Sequence, residues 1–347
     1  MMQDDAGLSL ADGGRLAAAN YVGYLVGALW AMVQPARTDV AVRASLAITS
    51  AATLAMAVAD GMPAYLALRA LAGISSAWVL IHVSSWCAAR LAALGRPGLN
   101  GVVFAGVGAG IVIAGALCIA LMTLGAGSRT AWLVLGGAGF LVTAAVWPVV
   151  KQSTAAIKIS FAGYRWTPDA LRLVACYGAF GIGYIIPATF VPVMAKAVID
   201  DPMVFGWAWP VFGAAAVAST LIAGAFQRRL NGRRLWMAST CGMALGVASV
   251  LFIDGLTGII ACALLVGGTF VIATLAGVQV AREVAGSGAY VLVAAMTAAF
   301  AATQVAGPLI VSFLAERSLG FEGALWSALI ALLASAGALM IPLREQL

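Results

Sequence analysis

The sequence predicts an all-α protein that crosses a lipid bilayer many times. Of its 347 residues, 63% are hydrophobic and only 9% are charged, whereas a soluble domain carries roughly 25% charged residues. A bilayer core needs roughly 20 apolar residues per helix, and eleven apolar stretches of about this length follow one another along the chain. Because these runs are continuous and not alternating, they exclude a transmembrane β-barrel.

We predict eleven membrane-spanning helices, separated by polar residues, glycine or proline. Their limits are residues 16–34, 42–59, 64–87, 100–124, 130–150, 171–194, 205–226, 235–253, 257–280, 288–315 and 323–342. The helices are rich in Ala and Gly, and small residues allow membrane helices to approach closely. We therefore interpret five glycines as packing contacts: Gly23, Gly27, Gly106, Gly108 and Gly110.

The distribution of Lys and Arg predicts the orientation. When the loops alternate between two sides, 14 of the 19 basic residues fall on one side and 4 on the other. Since basic residues accumulate in cytoplasmic loops, we expect the C-terminus to lie in the cytoplasm. The net charge of +6 is not accompanied by a basic stripe, so we expect no nucleic-acid partner.

A basic loop divides the chain into two unequal parts. Residues 1–150 form a predicted first bundle of five spans, residues 151–169 a cytoplasmic linker, and residues 170–347 a second bundle of six spans. Asp60-Gly61 precedes one span and Asp254-Gly255 precedes another, 194 residues later. Such an offset indicates a duplicated unit, as in secondary transporters, and chance recurrence of Ala-rich strings is the alternative.

Several longer sequence strings resemble those of a known transporter family. They resemble helices seven, ten and eleven of the YbfB/YjiJ group of the major facilitator superfamily (MFS), and the resemblance extends over essentially the whole chain. The strings are Tyr177–Pro192, Gly267–Phe270 with Gln279–Arg282, and Met296–Phe300 with Gln304–Pro308. The MFS fold has two six-helix bundles, so the resemblance implies that the first helix is missing here.

The resemblance implies a secondary transporter that moves a small organic solute by alternating access. It further implies a monomer in a bacterial inner (plasma) membrane, with efflux preferred to uptake, no enzymatic activity and no cofactor. The missing helix leaves a second hypothesis open, in which the chain is a truncated or scaffold membrane protein that does not transport. Proton coupling also stays open, because no Asp or Glu lies at the centre of a predicted span.

Arg69 is the strongest single candidate for chemistry. It lies within a predicted span, where a charged side chain is costly and indicates function; snorkelling to the outer interface is the alternative. Arg69 and Gly73 also match an Arg-x-x-x-Gly signature that the resemblance associates with substrate or proton coupling. His82, the single histidine, is 13 residues further along, on another face of the helix, and we expect it to make a structural hydrogen bond.

The resemblance assigns the cavity lining to helices seven and ten, where Tyr177, Tyr184, Thr189 and Thr269 are candidate substrate contacts, and Gln304 on helix eleven is a further candidate. Tyr177 and Tyr184 are seven residues apart and share a helical face; an interfacial position is the alternative for such tyrosines. One His and five scattered Cys give no metal-ligand set.

A second group of candidates lies at the predicted cytoplasmic ends. The MFS signature between helices two and three is reduced here to Gln34–Asp39 with Arg43, and its counterpart in Gly224–Arg234 is better kept. Arginines at these positions can bind terminal helix carbonyls and lock two halves together, although plain positive-inside anchoring explains them equally well. The gate candidates are Asp39, Arg228, Arg229, Arg233 and Arg234.

Overall fold

The computed structural model describes residues 1–34, 36–150, 164–198, 206–226, 231–316 and 320–342. Within these residues the chain is helical and contains no strand, which confirms the predicted fold class. A short helix, α1 (Met2–Asp5), precedes eleven long ones. These are α2 (Leu10–Val33), α3 (Thr38–Ala55), α4 (Met62–Ala93), α5 (Asn100–Thr123), α6 (Ser128–Val150), α7 (Pro168–Val198), α8 (Ala208–Phe226), α9 (Gly232–Phe252), α10 (Gly255–Ala285), α11 (Ala289–Glu316) and α12 (Gly320–Met340).

Each long helix contains most of one predicted span. Among the described residues, nine segments are long and apolar enough to cross a membrane. This number is two lower than the eleven predicted spans for two reasons. Helix α3 is not among the nine, and α10 and α11 are contained in one continuous apolar segment, Gly255–Pro308. The polar residues of α3 bond to neighbouring helices, as in Ser50–Thr143 at 3.3 Å. Eleven bilayer crossings stay a prediction.

The turns before α4 and α10 have the same construction. Gly61 and Gly255 both adopt positive φ, at 87° and 72°, a conformation that glycine adopts at little cost. A glycine with positive φ also follows each of these helices, Gly95 after α4 and Gly286 after α10. A short 3₁₀ helix comes next in both places. The repeated Asp-Gly motif of the sequence thus corresponds to a repeated turn.

The helix packing repeats in the same order. The pairs α2–α4, α3–α4 and α3–α6 have counterparts six helices later in α8–α10, α9–α10 and α9–α12. Helix α7 packs against α10, α11 and α12. The main contacts between α2–α6 and α7–α12, hereafter the two halves, are α2–α11 and α5–α8. This pattern favours a duplicated unit, and the proposed division within residues 151–169 lies largely outside the described residues.

The helix ends define two faces of the molecule. On one face, hereafter the arginine face, Arg172 at the start of α7 and Arg233 at the start of α9 donate to carbonyls just after α12, those of Pro342 and Ile341. On the opposite face, the Asp5 carboxylate accepts a hydrogen bond from the Ser128 backbone N–H at the start of α6. This bond lowers the pKa of Asp5 below its ordinary value, as expected for an anion at a helix N-terminus.

The glycines divide into packed and open positions. A Cβ added to Gly23 or Gly27 of α2 would lie 2.0 or 2.5 Å from a carbonyl oxygen of α4, and one added to Gly108 of α5 would lie 2.7 Å from Gly213 O of α8. The predicted packing role is confirmed for these three. It is wrong for Gly106 and Gly110, where a Cβ would meet no atom within 4 Å, because these two positions lie on sides of α5 that face away from α8.

Candidate functional site

A cluster of aromatic rings fills the centre of the second half. Three of its members, Tyr177, Phe180 and Tyr184, recur on one face of α7 at the spacing i, i+3 and i+7. Tyr184 stacks on Phe270 of α10 with ring centroids 5.0 Å apart, and Phe180 lies 5.1 Å from Phe300 of α11. We call these five residues, with Phe212 of α8 and Trp236 of α9, the aromatic cluster.

Glycines on α7 allow these rings to meet those of α11. A Cβ on Gly181 would lie 2.1 Å from the Thr303 hydroxyl, and one on Gly178 would touch Ala299 at 3.5 Å. The close approach of α7 to α11 therefore requires glycine at Gly181, whereas a methyl group at Gly178 would make an ordinary contact. With the backbones this close, Tyr177 comes within 5.6 Å of Phe300.

The first half brings Arg69 towards the aromatic cluster. Arg69 lies seven residues into α4, about 10 Å from the helix end at 1.5 Å per residue, and its carbonyl accepts a hydrogen bond from Asn20 of α2 at 3.0 Å. Its guanidinium is within electrostatic range of the Tyr21 hydroxyl. Tyr21 in turn packs against the core that contains the aromatic cluster. Among the described residues, no carboxylate forms an ion pair with Arg69.

The other sequence candidates do not all join this site. Gly73 packs against the α2 backbone, with a Cβ only 2.1 Å from Asn20 O. Thr269 donates to Leu265 O of its own helix at 2.6 Å and lies beside Gly242 of α9, and Thr189 is exposed. Gln304 is buried on α11, one turn beyond Phe300 of the aromatic cluster.

Sequence reasoning missed Tyr21 and most of the aromatic cluster. The spacing of Phe180 between Tyr177 and Tyr184 was a usable signal, because all three share one helical face. No comparable signal marks Phe270 or Phe300, whose partners lie on another helix.

The gate candidates that the structure describes, Asp39, Arg233 and Arg234, lie on the arginine face. Asp39 pairs with Arg37 at 3.0 Å. Partial burial raises the pKa of this carboxyl, but the hydrogen bonds and charge of Arg37 lower it by more, so its net pKa is below the ordinary value. Arg43 lies over the Trp147 ring of α6 at 5.1 Å. Arg233 binds the chain after α12 as described, Arg234 is exposed, and Arg228 and Arg229 lie outside the described residues.

His82 joins the two halves directly. Its Nε2 atom and the Tyr290 hydroxyl of α11 are 2.9 Å apart in a buried hydrogen bond, which confirms the structural role predicted for this histidine. Trp78 packs on His82 and donates its indole N–H to Gly27 O at 2.9 Å. The bond therefore belongs to an interface of α2, α4 and α11. No group of three or more His, Cys, Asp or Glu among the described residues is placed to hold a metal ion.

Replacing Tyr290 by Phe should destabilise this interface. The variant leaves a buried imidazole nitrogen without a partner, which costs about 1–3 kcal/mol, and we expect a lower melting temperature of the detergent-purified protein. The double variant His82→Leu/Tyr290→Phe removes both polar groups and should recover part of the loss. A melting temperature that is unchanged in Tyr290→Phe would contradict a contribution of the hydrogen bond to stability.

Comparison with known proteins gives one family and one solved fold. The model of the family described as "Uncharacterised MFS-type transporter YbfB" matches residues 1–342. The chain is also similar to the crystal structure of the human organic anion transporter MFSD10 (TETRAN), with a TM-score of 0.69 at 14% identity, over 94% of this chain and 82% of that one. At this identity the likeness concerns the fold. No curated protein matches the sequence.

Proposed function

Since the chain belongs to the YbfB family of MFS transporters, and is thus a multi-pass membrane transporter, we propose that it moves an amphipathic organic anion by alternating access. One observation carries the choice of solute: Arg69 is an intramembrane cation without a carboxylate partner among the described residues. It lies within electrostatic range of Tyr21, which packs against the core that contains the aromatic cluster. Such a cation favours an anionic group, and the rings favour an apolar or aromatic body.

The contacts between the halves suit a rocking motion. Backbones meet closely along α5–α8, for example at Gly101 and Gly224, where an added Cβ would lie 2.6 Å from the facing Cα. The first half supplies Arg69 and Tyr21, and the second supplies the aromatic cluster, so a solute bound between them would be held by both. Binding between two repeats is the arrangement on which alternating access depends.

We assign the arginine face to the cytoplasm of a bacterial cell, on the basis of the positive-inside rule. This places the C-terminus inside and the Asp5–Ser128 contact outside. Since no acidic residue lies at the centre of a predicted span, coupling to protons would pass through the anionic group of the solute at Arg69. Export is the direction that the family resemblance favours.

The proposal is tested by exchange assays with the full chain in proteoliposomes. We expect labelled naphthalene-1-sulfonate to exchange faster than in protein-free vesicles, whereas trimethyl(1-naphthylmethyl)ammonium, which has a similar body and the opposite charge, should not. Exchange of the cation alone would overturn the choice of an anion. The absence of exchange for the anion, the cation and a panel of other solutes would favour the scaffold hypothesis.

A further inference from the structure

A cavity lies between the halves at the arginine face. Its volume is about 320 Å³ and it is bounded by the ends of α4, α5 and α10, which falls in the size range of small-molecule sites. The apolar wall includes Phe104, Leu275 and Val278. Phe104 and Leu275 also belong to the buried core that contains the aromatic cluster.

The polar groups that line this cavity differ in whether they have hydrogen-bond or ion-pair partners. Gln279 donates to Glu283 at 3.0 Å, so the charge of Glu283 is partly satisfied within its own helix. Arg282, one residue earlier, forms no ion pair among the residues that the structure describes. Asn100 is only 8% exposed, and its Oδ1 atom has no hydrogen-bond partner among the described residues. The Nδ2 group of Asn100, for which the described residues provide no acceptor, is the donor that this side chain offers to an anion.

We propose that this cavity is a second binding site for the organic anion. The Arg282 guanidinium and the Asn100 Nδ2 group donate to its charged end, and the wall of Phe104, Leu275 and Val278 holds its apolar body. The inference rests on the proposed function for the class of solute. It adds a site on the arginine face that is distinct from Arg69. The solute occupies it before or after the central site.

The test measures protection of a cysteine at the mouth of the cavity. Ala92 lines the cavity and is exposed, whereas Ala93 is exposed on α4 outside it. In a background with the five native cysteines replaced by alanine, naphthalene-1-sulfonate should slow maleimide alkylation of Ala92→Cys but not of Ala93→Cys. Adding Arg282→Gln should raise about tenfold the naphthalene-1-sulfonate concentration needed for half-maximal protection, since a hydrogen bond to a charged group is lost. The control Arg90→Gln, an exposed arginine on the same face, should leave it unchanged.

Further arms separate this site from the central one. Arg69→Ala should keep the protection of Ala92→Cys even where exchange is lost, so a failure of transport does not decide this test. Fluorescence titration of naphthalene-1-sulfonate on the chain with its native cysteines gives the affinity independently of the cysteine background. Equal affinity in Arg282→Gln and the parent chain would overturn the proposal. So would protection that disappears in nanodiscs containing phosphatidylglycerol, because a lipid headgroup would then be the occupant.

Discussion

Replacing Arg69 by alanine is expected to lower the initial rate of naphthalene-1-sulfonate exchange by about 10- to 100-fold. The estimate follows from the loss of a hydrogen bond to a charged group, worth about 1.5–3 kcal/mol, with about 1.4 kcal/mol for each factor of ten. The loss should be large because the described residues supply no carboxylate near Arg69, so the solute is its counter-ion. The exchange rate of Arg69→Lys should lie between those of Arg69→Ala and the parent chain, since lysine keeps the charge and loses the planar fork of donors.

A matched arginine on the same helix provides the control. Arg90 is exposed in the last turn of α4, and Arg90→Ala should exchange the anion at the rate of the parent chain. Both variants should be folded, as shown by a melting temperature in detergent and by elution as a single species. Equal rates for Arg69→Ala and the parent chain, over a broad panel of solutes, would remove Arg69 from the transport mechanism.

The fold was largely predictable because bilayer thickness constrains it. Each apolar run must be long enough to cross, and the polar breaks fix the helix order. The least regular case, α3, shows the limit of this argument. Its Ser, Thr, Asp and Arg side chains lower its hydropathy, yet they bond to other helices, as Thr49 does to Ser75 at 2.8 Å, and this pairing cannot be deduced from the sequence of α3 alone.

The candidate site was predictable only in part, because its residues come from distant parts of the chain. Arg69 is marked by its charge within an apolar run. Tyr177 and Tyr184 are marked by their common helical face. Thr269 is adjacent in sequence to Phe270 of the aromatic cluster, yet the helical turn directs Thr269 towards α9. Composition indicates which residues lie in a membrane helix, whereas the neighbours of each face depend on packing between helices.

The glycines of α5 allow the contact between the halves to be tested with matched substitutions. Gly101 and Gly108 both face the backbone of α8, and a Cβ on Gly101 would lie 2.7 Å from Thr220 O. We expect Gly101→Ala/Gly108→Ala to lower stability, by about 1–3 kcal/mol at each site, because the facing atoms are backbone and must move apart. The separation of α5 from α8 should also abolish most anion exchange, because the two halves would lose the close contact that positions them relative to each other.

The control places the same two methyl groups on the same helix. Gly106→Ala/Gly110→Ala adds each Cβ where no atom lies within 4 Å, and it should be neutral or stabilising by up to about 1 kcal/mol per site through helix propensity. The double variant at the packed glycines should therefore have a lower melting temperature and a lower exchange rate than the double variant at the open glycines. If both double variants behave alike, close packing of α5 on α8 does not hold the halves together. The rocking motion would then depend on the other main contact between the halves, α2–α11.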